Sequence, residues 1–574
     1  MSADRAAAGD TGDARLKVVL LWHMHQPQYR DPVSGAYQLP WTYLHAIKDY
    51  ADMAAHLEAV PAARAVVNFA PLLLEQIADY ARQVQGFLAN GLAIRDPLLA
   101  ALAQPALPSD ADARHALIRS CLRANEAHQI RRFPAYQRLT DMAVWLSTHP
   151  DAAVYVSDQF LADLLVWYHL AWLGETVRRS DVRVRRLLDK GAGYTLHERR
   201  ELLGVIGELL AGIVPRYTRL AARGQVELAV TPYAHPILPL LLDFQTAREA
   251  MPDVPLPVAA QYPGGEERAH WHIREGLATF ERHFGFKPAG CWPAEGSVSV
   301  TTLRQLAQAG FTWAASGENV LANSLAKAHH APHTLKEAWL YQPYSVADTG
   351  LTCFFRDDGL SDLIGFTYAT WHADDAVADL VQHLEKIAAR CQGHPDRVVS
   401  IIMDGENAWE HYPENAYYFL GALYRRLTEH SQLQLTTFSD HLEHFPAKRL
   451  PALVAGSWVY GSFSTWMGDH DKNHGWEMLV DAKRAFDEAA PRLNPEQRAA
   501  AERQLAVCEG SDWFWWLGDY NPAATVSDFE RLFRLHLSNL YQLLKHEPPE
   551  YLAHVFAHGR GAPAQGGVMR AGKE

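Results

Sequence analysis

Seven short apolar runs, rich in β-branched residues, recur along the chain without the in-out alternation of a half-buried strand. They are residues 17–22 (KVVLLW), 65–69 (AVVNF), 226–230 (VELAV), 289–292 (AGCW), 311–315 (FTWAA), 351–355 (LTCFF) and 398–403 (VVSIIM). Strands apolar on both faces need cover on both faces, which is the condition of a parallel sheet. Helical periodicity fills most of the gaps, for instance at 268–284, 300–309 and 374–391. Strand and helix in alternation predict a parallel sheet or barrel, here with fewer strands than the common eight.

Two stretches depart from that rhythm. Residues 72–223 hold no strand pattern and read as a helical insertion within a barrel spanning 16–432. From 433 to 558 the pattern becomes a Trp/Gly-rich loop followed by helices, expected to form a C-terminal helical domain. Residues 1–15 and the Gly/Ala-rich tail 559–574 are expected to be disordered. At 574 residues and 48% hydrophobic, the chain has material for a large core and an accessory domain. The net charge of −13 disfavours a nucleic-acid partner and suits a neutral substrate. Five widely spaced cysteines with no CxxC read as free thiols of a reducing compartment. The N-terminal residues lack a basic leader, and the aromatic-aliphatic run 164–173 is too short for the ~20 residues of a bilayer span. A cytoplasmic protein with no membrane partner is the expectation.

Barrel enzymes carry their chemistry at the C-terminal strand ends, and here each predicted strand runs into reactive residues. The first leads to His23 and His25, the second to Asn68, the third to Thr231, Tyr233 and His235. The fourth leads to Glu295, the fifth to Glu318, the sixth to Arg356, Asp357 and Asp358, and the seventh to Asp404 and Glu406. Glu295 and Asp404 each follow an apolar strand in a Gly-containing turn. Two carboxyl groups flanking one bond are what glycosidic cleavage requires, one ionised and one protonated. Alternatively, either residue caps the next helix. His23 and His25, with His235 as a third, suit a metal site or the hydroxyls of a sugar. Aromatics make up 11% of the chain, and many Trp and Tyr lie beside His, Asp or Gly. A sugar cleft needs such rings, because pyranose C–H faces stack on them; a large aromatic core would use them equally. In the loop 455–476, Trp466 and Asp469 are expected as substrate wall. The run 511–518 (SDWFWWLG) reads as packing between helices, outside the site.

Five segments together resemble glycoside hydrolase family 57, in particular its amylopullulanase and α-amylase-like members: HMHQP at 23–27, GQVELAVTPYAHPILPLL at 224–241, GCWPAEGSVS at 290–299, MDGENAWEHY at 403–412 and WMGDHDKNHGW at 466–476. The resemblance implies an α/β fold, an incomplete (β/α)7 barrel with a helical insertion and a C-terminal helical domain. It implies retaining cleavage or transfer at α-1,4 bonds, with α-1,6 bonds as an alternative, of starch- or glycogen-type α-glucans. Glu295 is then the nucleophile and Asp404 the acid/base. His23, His25, His235, Trp292, Glu406, Trp409, Trp466, Asp469 and His470 fall in the substrate-binding motifs, with no metal or other cofactor expected. The same residues would serve a 4-α-glucanotransferase or a glycogen branching enzyme. Two further readings are a metal-dependent polysaccharide deacetylase or mannosidase using His23 and His25, and a non-catalytic glycan-binding protein.

Overall fold

The computed structural model describes residues 15–329, 335–346 and 348–561. Ten strands form one sheet: β1 (Leu16–Met24), β2 (Ala65–Phe69), β3 (Val226–Val230), β4 (Gly290–Cys291), β5 (Trp313–Ser316), β6 (Tyr344–Val346), β7 (Thr352–Phe355), β8 (Val398–Asp404), β9 (Leu433–Leu435) and β10 (Lys448–Leu450). The seven predicted runs correspond to β1 to β5, β7 and β8. These pair in the order β7-β5-β4-β3-β2-β1-β8, parallel throughout. The two ends of that path meet at a single parallel bridge between Arg356 and Ser400, where Asp357 N–H donates to the Ser400 carbonyl at 2.8 Å. The result is a curled, nearly closed ring of seven strands. β6, β9 and β10, each three residues long, lie outside it; none is long enough to show a periodicity in sequence. β6 runs antiparallel to β7, and β9 pairs with the first residues of β1.

The ring has its own interior. Val19, Leu21, Val66, Ala229, Trp292, Trp313, Phe354 and Ile402 pack inside it, while Val18, Leu20, Trp22 and Val67 belong to the larger core shared with the surrounding helices. Phe438, from the segment after β9, plugs the lower end against Phe354 and Trp313, with ring centroids 4.1 and 4.7 Å away. Successive strand residues face opposite sides. In β1 the inward series 19, 21 therefore continues to His23, in β2 the series 66 continues to Asn68, and in β8 the series 398, 402 continues to Asp404. His23 lies in register with both Asn68 and Asp404. The polar layer is thus the top of the same stack whose lower layers are apolar.

Between β2 and β3 the chain is helical, from helix Pro71–Asn90 to the 27-residue helix Leu196–Ala222. The latter starts at a capping box in which Thr195 and Glu198 each bond the other's backbone N–H. After β10 come helices His470–Ala489, Pro495–Cys508, Ser511–Trp516 and Ala523–Leu543. They are fastened to the barrel by Glu509. This buried carboxylate accepts from Tyr262 Oη (2.6 Å), His272 Nε2 (2.7 Å) and both Arg268 Nε and Nη2 (2.8 Å each). Burial alone would raise its pKa, but Arg268 and His272 hold it down to about 2. The expected disordered ends lie mostly outside the described residues. Residues 559–561 are an exception: Gly561 N–H donates to the Asn521 carbonyl at 3.0 Å, and a Cβ on Gly561 would meet the Tyr520 carbonyl oxygen at 1.8 Å. Those glycines serve close approach rather than disorder.

Gly290, in the strand that delivers Glu295, has a similar constraint. A Cβ there would sit 1.8 Å from Cε2 of Trp313, whose indole crosses β4 inside the ring. Gly290→Ala should therefore lower unfolding stability by about 1–3 kcal/mol through overpacking. A shifted urea midpoint at unchanged m-value would register it, and an unchanged midpoint would refute this account of Gly290.

Candidate active site

A cleft of about 420 Å³ opens at the C-terminal strand ends, with His23, His25, Glu295, Asp404 and Glu406 on its surface. Glu295 sits in the turn after β4 with φ of 57°, a left-handed conformation that costs a non-glycine residue strain and clusters at functional sites. Its carboxylate accepts from Trp458 Nε1 at 2.8 Å, and its backbone carbonyl accepts from Trp458 N–H at 3.1 Å. His235, itself at φ of 59°, brings Nδ1 to 4.0 Å from Glu295 Oε1.

Asp404 ends β8 in a different setting. It borders the cleft but is otherwise enclosed by protein, so desolvation raises its pKa. Asn407, donating to Oδ2 at 2.9 Å, opposes the shift, as do His25 and Arg356. Glu406 is more deeply buried. Oε1 accepts from His25 N–H and Gln26 Nε2, both at 3.3 Å, and Oε2 has no protein partner. Burial first and the nearby Asp404 second push its pKa well above the carboxylate range, so Glu406 favours the protonated form.

The histidines form one hydrogen-bonded chain. Asn68 Oδ1 can only accept, so His23 Nδ1–H donates to it at 2.7 Å. His23 Nε2 is then an acceptor, taking the proton of His235 Nε2 at 3.0 Å, and His235 Nδ1 in turn accepts from Ser511 Oγ at 2.8 Å. Both rings are neutral: desolvation, with His25 nearby, lowers His23 to about 3 and His235 well below the usual histidine value. His25 stacks on His235 with centroids 3.8 Å apart and planes 15° apart, and its Nε2–H donates to Asp512 at 2.8 Å. Its Nδ1 is buried and has no protein partner. The three imidazoles are close enough to be considered for a metal, their ligand atoms lying within 4.8 Å. The near-parallel stacking of His25 on His235 keeps those two in-plane lone pairs from converging, and the nitrogens of His23 and His235 that face one another already share a proton. That arrangement does not suit coordination.

The other expected site residues lie elsewhere. Trp292 is buried inside the ring between His23 and Trp458, with centroids at 6.2 and 5.1 Å. Trp409 is buried and braces the turn after β8, its Nε1–H donating to the Gly405 carbonyl at 2.8 Å. Trp466, expected as substrate wall, is fully buried; its ring packs behind Trp515 at 5.8 Å. Asp469 caps helix His470–Ala489 by accepting from Asp471 N–H at 2.8 Å, and the His470 side chain is 93% exposed beside Asp471. Neither reaches the cleft, because the loop that carries them turns into that helix. Nor do all seven strand ends share the site. Glu318, Asp357 and Asp358 bind one another's neighbourhood through Lys336 and Arg356, and Arg356 alone of that group faces the cleft.

Conversely, the cleft contains residues that sequence reasoning placed outside it. The helix Ser511–Trp516 supplies Asp512, Trp515 and Trp516, while its Trp513 and Phe514 do pack inward as expected. Four consecutive aromatics on one helical turn cannot all face the same side, and that was the available signal. Trp41 and Trp172 also line the cleft, with Trp458 beside Glu295. All five cysteines are buried and free, and no helix among the described residues is long and apolar enough to cross a membrane.

Comparison with known proteins places this geometry in context. A stretch of 164 residues, 28% of this chain and 21% of the relative, is 24% identical to a 1,4-alpha-glucan branching enzyme of Thermococcus kodakarensis. The crystal structure of that GH57 branching enzyme is similar in fold at a TM-score of 0.54 and 14% identity, covering 92% of this chain and 90% of that one. The alpha-amylase AmyC of Thermotoga maritima gives a TM-score of 0.53 at 14% identity, over 92% and 96% of the two chains. A 4-alpha-glucanotransferase of Thermococcus litoralis gives 0.51 at 14% identity, over 92% and 60%. Identities this low speak to the fold alone, and the fold is the incomplete barrel anticipated from the strand runs. Residues 19–454, more than half of the sequence, match the family model of glycosyl hydrolase family 57, and the chain belongs to that family.

Proposed function

We propose that this protein cleaves α-1,4, and in branched substrates α-1,6, glucosidic bonds of starch- or glycogen-type α-glucans with retention, through a covalent glycosyl-enzyme. The observation that carries the reading is the contrast between two carboxyl groups on one cleft. Glu295 is held by an indole N–H donor, which favours the anion. Asp404 is desolvated and its pKa raised, which favours the acid. One group is prepared to attack and the other to protonate.

In the first step Asp404 gives its proton to the glycosidic oxygen as Glu295 Oε attacks the anomeric carbon. The carbon–oxygen bond to the leaving sugar breaks, and an ester to Glu295 forms. In the second step the Asp404 carboxylate takes the proton of an incoming O–H, whose oxygen displaces Glu295. His25 and the carboxyl of Glu406, both on the cleft surface, suit the hydroxyls of the sugar being cleaved. The aromatic walls suit its C–H faces. The relatives, a branching enzyme, an amylase and a glucanotransferase, support an α-glucan as substrate. Transfer to a sugar hydroxyl, as in a glucanotransferase or branching enzyme, is the second reading, because the same two carboxyl groups would serve a sugar O–H as well as water.

Glu295→Gln should lower kcat on the order of 10⁴-fold while maltoheptaose binding, followed by tryptophan fluorescence, stays within about threefold. Turnover that survives this change would rule out Glu295 as nucleophile. Asp404→Asn should lose much less on maltosyl fluoride, whose leaving group needs no proton, than on maltoheptaose; equal losses would count against the acid role. The pH profile supplies a third check. The hydrogen bond from Asn407 stabilises the ionised form of Asp404, so its removal in Asn407→Ala should raise that pKa. The alkaline limb of kcat/KM should then move to higher pH, by up to about one unit. A shift to lower pH would contradict the assignment of that limb.

A further inference from the structure

The walls of the cleft come from parts of the chain 405 positions apart. One wall contains the turn 123–125 and Trp172 from the helices between β2 and β3, locked together by Trp172 Nε1–H donating to the Arg123 carbonyl at 3.2 Å. Another contains Trp516, Thr525 and Phe529 of the C-terminal helices, with Trp516 and Phe529 centroids 5.3 Å apart. At the rim, Arg123 Nη1–H donates to Asp528 Oδ2 at 2.9 Å, the two side chains 36% and 27% exposed. Further along helix Ala523–Leu543, buried His536 and Asn539 bond the Gln28 carbonyl (3.0 Å) and Asp31 (2.9 Å), so that half of the helix is fixed. The half that carries Thr525 and Phe529 into the cleft packs inward through Val526 and Phe529, and its contact with the facing wall at the rim is the exposed pair.

We propose that Arg123 and Asp528 form a clasp that sets the width of the cleft and selects among α-glucans, admitting an unbranched strand and hindering a strand that carries a branch. The inference rests on the α-glucan reading above. Its physical basis is that a partly exposed ion pair is weak and salt-sensitive, so the rim yields to a bulky substrate only at a cost in binding. The aromatic surfaces below the rim are buried and set. Neither clasp residue is needed for the chemistry; their effect is on which glucan reaches it.

The test compares kcat/KM of the full chain on maltoheptaose and on a β-limit dextrin, a branched α-glucan. Asp528→Asn should raise the branched-to-linear ratio about three- to tenfold, and the reversed pair Arg123→Asp/Asp528→Arg should return it to within about twofold of the parent. A second measurement needs no variant. Raising NaCl from about 0.02 to about 0.5 M should raise the same ratio in the unaltered protein and leave it flat in Asp528→Asn. A ratio indifferent to both the substitution and salt, in protein that turns over both glucans, would overturn the clasp alone. An unaltered protein that turned over neither glucan would overturn the α-glucan reading and the clasp with it.

Discussion

A strand can offer only every second side chain to the inside of a ring, and the active chemistry of this protein depends on that repeat. Val19 and Leu21 commit β1 to a register in which His23 must look inward, and Ile402 does the same for Asp404. A slip of one residue would send every polar group at the top of the barrel to the outer face and bring residues of the helix-facing core inside. The apolar layers below therefore act as the positioning device for the polar layer above. Trp313, Phe438 and Phe354 fill the lower ring, and Gly290 is small because Trp313 occupies the space a side chain would need. Packing and chemistry are in this sense one constraint.

The barrel does not complete the site. His25 donates its outer hydrogen bond to Asp512, and His235 accepts one from Ser511, both of which arrive from the C-terminal helices. What brings them there is the corner at Glu509, a carboxylate enclosed with Arg268, His272 and Tyr262. A buried ion pair is weak evidence for net stability, because desolvation offsets the attraction. Leaving one partner unpaired is costly, however, so the pair specifies a single docking geometry. Three residues after that anchor, Asp512 reaches His25. Partners of this kind fix imidazole tautomer and orientation, as the outer ligands of metal sites do.

Electrostatics inside the cleft follow from neutrality. The His23–His235 chain carries its protons in one defined order and no charge, so it adds donors and acceptors without repelling or neutralising the carboxyl groups. Glu406, pushed toward its acid form chiefly by burial, adds no buried anion beside Asp404. That leaves Glu295 and Asp404 with distinct surroundings, one facing an indole donor and the other desolvated. The difference between two chemically similar side chains is made entirely by what packs against them.

The sequence by itself determined the ring and its reactive strand ends. Unalternating apolar runs reveal strands buried on both sides, and the two-residue repeat carries from those runs to His23, Asn68 and Asp404, because both signals are local along the chain. It did not determine which aromatic residues line the cleft. Trp292, Trp409 and Trp466 share motifs with site residues yet stand away from the cleft, whereas Trp41, Trp172 and the adjacent pair Trp515 and Trp516 come from three remote stretches of the chain and line it together. A tryptophan that packs in the core and one that borders a cleft have the same local pattern; only the arrangement of distant helices decides which face is covered. The same holds for Asp512 and for the pairing of Arg123 with Asp528, since contacts between remote segments depend on how the elements dock, and docking is a property of surfaces that exist only after the chain has folded.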